Sequence, residues 1–205
     1  PTSIIFSPLM RPDLIHFIRL SLIEGIGPVN AKKLIAHRGG AEEVFKSSRK
    51  QLLSIDGIGP SYVDKILSAD TARAADALLE TESKAGNNIF CYLDKAYPRR
   101  LNNCEDAPLL IFTQGEVDLN QAYVLSIVGT RHATEYGTRA TEDFIKAISP
   151  LRPLIVSGLA HGIDVAAHKA AMRFDCPTVG VLAHGLDMVY PAIHRKVAAR
   201  MCEQG

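Results

Sequence analysis

The chain has 205 residues, 47% of them hydrophobic, enough for one large domain or two small ones with real cores. Its 23 basic and 22 acidic residues leave a net charge of +1, so no global basic field marks it for nucleic acid, and any such surface must be a local patch. No apolar run approaches the ~18 residues of a membrane span, and the start lacks a charged-then-apolar leader, so a soluble, cytoplasmic protein that meets no membrane is expected.

The four cysteines, Cys91, Cys104, Cys176 and Cys202, are widely spaced and form no CxxC pair, so they read as reduced, packed thiols. The chain begins at a proline and ends at Gly205 directly after a helix-like stretch, which reads as a piece of a longer protein.

In chain order, Asp13 can cap a first helix whose apolar positions Leu14, Ile15, Phe17, Ile18, Leu22 and Ile23 follow helical spacing. The stretch Leu22-Ile-Glu-Gly-Ile-Gly-Pro-Val-Asn-Ala-Lys-Lys-Leu34 then has a near copy in Leu53-Ser-Ile-Asp-Gly-Ile-Gly-Pro-Ser-Tyr-Val-Asp-Lys-Ile-Leu67. Each copy places a Gly-Ile-Gly hairpin between two helices, with Pro28 or Pro60 near the start of the second. The isoleucine is expected to plug the groove between the helices. The exposed amides head the second helix, where free N–H groups attract phosphate. Candidate phosphate contacts are therefore Gly25, Gly27, Lys32 and Lys33 in the first copy and Gly57 and Gly59 in the second, where Asp64 lies beside the only following lysine. The two segments resemble tandem helix-hairpin-helix motifs, a small all-α, SAM-like domain. The resemblance implies phosphate contacts that position DNA without reading its sequence. An alanine-rich helix over 71–85, with Ala74, Ala77 and Leu78 on its apolar face, closes this part, and Gly86-Asn87-Asn88 ends it. The expected domains are 1–85 and 86–205.

Strands are expected over Ile89–Leu93, Pro108–Thr113, Tyr123–Val128, Pro153–Ser157 and Pro177–Ala183, with helices from about Glu135 to Ile148, Ile163 to Phe174 and Ala192 to Cys202. Phe144, Ile145 and Ile148 are placed on one helix face. The run Tyr123–Val128 is nearly unbroken β-branched and apolar sequence, so it reads as a strand covered on both faces in the middle of a parallel sheet. The fold class is then α/β: a Rossmann-like, mainly parallel sheet flanked by helices. Three strand exits, Gly129-Thr130-Arg131, Ser157-Gly158 and His184-Gly185, open on one sheet edge, where such folds bind ligands. Arg131 is placed to hold an anion, since a guanidinium makes bidentate, permanently charged contacts with phosphate. The GxGxxG fingerprint is absent, so no dinucleotide cofactor is expected. Asp164 and His168 lie one helical turn apart but lack further ligands of matching kind; Asp164 reads as ordering a helix start and His168 as packing under the sheet, with no metal site. Ser157 has no nucleophile-elbow context or triad partners.

The segments Ser126-Ile-Val-Gly-Thr-Arg131, Val156-Ser-Gly-Leu-Ala-His-Gly-Ile-Asp164 with Ala167-His168, and Gly185-Leu-Asp-Met-Val-Tyr-Pro191 resemble the DprA (Smf) DNA-processing family, as do Tyr97-Pro98 and Pro108-Leu-Leu. The resemblance implies a protein that is not an enzyme. It implies single-stranded DNA binding, protection of incoming DNA in natural transformation, loading of RecA recombinase onto it, and a homodimer where the C-terminal part of the fold is present. Carried over by position, it makes Gly129, Thr130, Arg131, Ser157, Gly158, Gly162, Arg195 and Lys196 the DNA-binding set. Tyr190 is the best stacking candidate. The family's next strand, further basic motif and winged-helix module are absent from these 205 residues. Two other classes compete. One is a nucleotide-processing enzyme of the phosphoribohydrolase type, whose PGGxGTxxE segment is absent; the other is a docking module for recombination factors.

Overall fold

The protein is described here from a computed structural model covering residues 13–204. Two compact units divide the chain, Pro1–Thr113 and Gln114–Gly205.

The first unit is mostly helical: α1 (Leu14–Ser21), α2 (Pro28–Arg38), α3 (Ala41–Phe45), α4 (Arg49–Leu53), α5 (Pro60–Ser68) and α6 (Ala72–Lys84). The repeat is visible in the backbone. Gly25 and Gly57 adopt left-handed angles (φ 82° and 76°), which only glycine takes without strain. Pro28 and Pro60 then occupy the first turns of α2 and α5. The plugs are as expected: Ile26 and Ile58 are buried, among a core that includes Phe17, Leu34, Leu52 and Val63. The α6 helix turns a different face inward from the one expected, burying Ala75 while Ala74 and Ala77 stay exposed. With alanine at three neighbouring positions, composition alone does not choose between faces that differ by one residue.

The boundary and the first two strands also differ from expectation. β1 (Asn88–Cys91) and β2 (Leu110–Thr113) pair antiparallel with each other, Asn88 opposite Thr113 and Cys91 opposite Leu110. The short helix α7 (Arg99–Asn102) lies between them. Ile89, Cys91, Leu109 and Leu110 belong to the same buried cluster as the helices, so this ribbon extends the first unit to Thr113 instead of opening the parallel sheet. Tyr97 is buried, and its hydroxyl donates to the Pro108 carbonyl at 2.7 Å. Cys91 and Cys176 are buried thiols as expected, whereas Cys104 is exposed.

The second unit holds the parallel sheet: β3 (Val124–Ser126), β4 (Leu154–Ser157) and β5 (Thr178–Gly180), in the order β3-β4-β5. Helices α8 (Glu135–Ile148) and α9 (Ile163–Arg173) make the crossovers, and α10 (Arg195–Gln204) follows β5. The central strand is β4, whose Leu154 and Ile155 are 1% and 0% exposed. Among the described residues β3 pairs only with β4, and Tyr123 and Val128 are 57% and 78% exposed, so the expected central position of this run is corrected. An apolar run shows that a strand tolerates burial; which strand gains two neighbours is decided by the order of crossovers. Of the expected α8 face, Ile145 is fully buried and Ile148 partly so, while Phe144 is half exposed.

Candidate nucleic-acid interface

Because β3, β4 and β5 are parallel, their carboxyl ends share one edge, and the first two expected exits meet there; β5 stops at Gly180, four residues short of the expected third exit at His184-Gly185. The contact between the β3 exit and the start of α9 is unusually close. The Ile163 amide donates to the Thr130 carbonyl at 3.2 Å. Gly162 has φ 78°, and a Cβ on it would lie 2.1 Å from the Thr130 oxygen. A Cβ on Gly129 would lie 2.6 Å from the Ile163 side chain. Gly129 and Gly162 are thus required by the packing of the loop against the helix. Gly158 is similarly close to a carboxylate, with its notional Cβ 2.8 Å from Asp164 Oδ2.

The hydroxyl of Ser157 donates to the Ile127 carbonyl at 2.6 Å, tying the β4 exit to the β3 exit; the side chain is 3% exposed. Thr130 Oγ1 accepts from the His132 amide at 3.1 Å, which folds the loop back after Arg131. Arg131 itself is exposed and makes no ion pair among the described residues. Glu142, a conceivable partner, is paired with Arg173 instead.

A cleft of about 700 Å³ opens beside this loop. Arg131, His132 and Ala133 form one wall, Thr138 of α8 another, and His161, Gly162, Val165, Ala166 and Lys169 the third. Of the expected DNA-binding set it brings Arg131 and Gly162 together, and it adds His161, weighed in the sequence only as a possible metal ligand, with Lys169 and His132, which reading the sequence did not single out. A signal for Lys169 was present. It stands seven positions, two helical turns, after Gly162, so helical spacing puts it on the face of Val165 and Ala166. Tyr136, in the first turn of α8, is 82% exposed and is a second stacking candidate beside Tyr190 at 67%.

Arg195 and Lys196 do not line the cleft. They are exposed at the start of α10 and are held near it by His194, whose Nδ1 lies 2.8 Å from the Leu159 carbonyl and whose ring is 5.1 Å from that of His161. Lys169, Arg131 and His161 thus share the cleft, and Arg195 and Lys196 follow His194 in the chain. His168 is fully buried. Thr178 Oγ1 donates its single proton to the Ile155 carbonyl at 2.9 Å, so at 2.7 Å it accepts from His168 Nδ1–H. Nε2 is then a bare acceptor with no partner among the described residues. Burial pushes this imidazole down to about 4.

In the first unit, both lysines after the first hairpin have internal neighbours. Lys32 Nζ lies 5.3 Å from the centroid of the Tyr92 ring, and Lys33 Nζ donates to the Asp56 carbonyl at 3.1 Å. Asp64 pairs with Arg49 of α4. The glycines Gly25, Gly27, Gly57 and Gly59 shape the turns as expected. No helix among the described residues is long and apolar enough to cross a membrane.

Comparison with known proteins finds relatives of both parts of the chain. Residues 88–205 match the family described as DNA recombination-mediator protein A, and residues 17–69 match the SAM-like helix-hairpin-helix tandem. The chain is 29% identical to Protein Smf of Synechocystis sp. over 93% of its length and 49% of that relative. It is 38% identical to the DNA processing protein DprA of Streptococcus pneumoniae over 53% of its length and 38% of that relative. The X-ray structure of the Streptococcus pneumoniae protein superposes with a TM-score of 0.68 at 28% identity, covering 91% of this chain and 62% of that one. The chain thus spans under half the length of these curated relatives.

Proposed function

The chain belongs to the DNA recombination-mediator protein A family, and from that premise we propose that it binds single-stranded DNA along the carboxyl edge of its parallel sheet. Single strands are held by cations spaced for successive phosphates, with stacking surfaces for unpaired bases. Arg131, without a counter-ion among the described residues, in one cleft with Lys169, is the observation that carries this reading. His161 lines the same cleft, Arg195 and Lys196 add exposed cations at the start of α10, and Tyr136 and Tyr190 offer aromatic faces. Gly129, Thr130, Ser157, Gly158 and Gly162 set the geometry that lets the strand come near the backbone.

In the cell, on this reading, the protein is cytoplasmic, shields incoming DNA and passes it to RecA recombinase, acting as a homodimer and without catalysing a reaction. The test is binding of labelled oligonucleotides to Arg131→Ala across a salt series. We expect at least a tenfold loss of affinity and a salt slope smaller by about one. Lys169→Ala is expected to give a smaller loss with the same change of slope. Unaltered affinity and slope in Arg131→Ala would overturn the proposal. Displacement of the strand by a mononucleotide would instead point to the nucleotide-processing class.

A further inference from the structure

The tandem repeat contains an exchange that its sequence alone does not display. Lys33 stands eight positions after Gly25, and Lys65 stands eight positions after Gly57, so the two copies carry a lysine at the same place in their second helix. Neither lysine serves the hairpin of its own copy. Lys33, on α2, donates to the carbonyl of Asp56 at 3.1 Å, and its Nζ is 3.0 Å from where a Cβ on Gly57 would stand, in the second hairpin. Lys65, on α5, lies with its Nζ 2.5 Å from where a Cβ on Gly25 would stand, in the first hairpin. The glycines leave the room that the two ammonium groups occupy, in addition to supplying the left-handed turn.

We infer that Lys33 and Lys65 are reciprocal positioning residues, each fixing the hairpin of the opposite copy. The physical reason lies in the turn. A hairpin whose apex glycine is left-handed turns the carbonyl before it outward; at the second hairpin the Lys33 ammonium donates to that oxygen, and at the first the Lys65 ammonium packs against the apex glycine, each opposing opening of the turn. Because the ammonium comes from the other copy, opening one turn releases a contact made by the other copy's helix. The inference concerns the turns themselves and holds whether or not the hairpins meet DNA.

Each hairpin carries its own reporter. The Ile26 amide donates to the Ile23 carbonyl at 3.1 Å, and the Ile58 amide donates to the Ile55 carbonyl at 3.0 Å. Hydrogen exchange at these two amides, followed by NMR on the whole chain, separates the cases. Lys33→Met keeps the aliphatic stem and should speed exchange at Ile58 by roughly three- to tenfold, the weight of one exposed hydrogen bond, while leaving Ile26 unaltered. Lys65→Met should do the reverse. Lys33→Arg, which retains a donor, should restore most of the protection at Ile58. A change at the hairpin of the substituted copy, an equal change at both amides, or no change at either would overturn the inference.

Discussion

His168 shows how one side chain sets a pH limit on the fold. The folded protein keeps this imidazole neutral down to about pH 4 because burial disfavours its charge, while in the unfolded chain it titrates near its ordinary value of 6.5. The folded value is the lower of the two, so the unfolded chain takes up the proton first as the medium is acidified. The stability is therefore fully present above pH 6.5 and declines between 6.5 and about 4, by roughly 3 kcal/mol in all. Denaturant unfolding across that range should show this slope, and His168→Gln, whose amide can still donate to Thr178 Oγ1, should flatten it. A slope unaltered in that variant would assign the acid sensitivity elsewhere. Arg131 poses the opposite case, an exposed cation without a counter-ion among the described residues, while Glu142 is used by Arg173.

Among the elements, the joint between the β3 exit and α9 is the most constrained. Gly162→Ala would add a methyl 2.1 Å from the Thr130 oxygen at a backbone angle of φ 78°, and both effects oppose the native arrangement. The expected cost is more than about 2 kcal/mol, with displacement of the Arg131 loop. Thermal unfolding together with oligonucleotide binding would measure both, and a variant as stable and as tightly binding as the parent would refute this account. The same joint shows what reading the sequence could reach. Strand–glycine–helix punctuation located the first two exits, and the repeat located both hairpins, because each depends on local rules of period and turn chemistry. Lys169 and Tyr136 entered the site through the packing of α8 and α9 around the loop, which is a long-range relation. The partners of Lys32 and Lys33 were out of reach for the same reason: a lysine beside a hairpin in sequence points to that hairpin, and only the fold shows that it reaches another.

For the molecule as a whole, the two compact units divide after Thr113. The β1–β2 ribbon contributes Ile89 and Leu110 to the helical core, so the strand that follows Gly86 belongs to the first unit even though the family match begins at residue 88. Limited proteolysis read by mass spectrometry should therefore cut between Thr113 and Tyr123 and spare the segment 85–91, and the opposite pattern would return the boundary to residue 86. The glycine-tight seam between loop and helix has one more consequence, which falls on the ligand. If the walls of the cleft are in place before a strand arrives, the strand must be reshaped to fit, giving up its own base stacking wherever the track bends. Stiff, well-stacked purine runs lose more by this than limp pyrimidine runs do, so a groove that reads no base edges would still favour thymine-rich DNA.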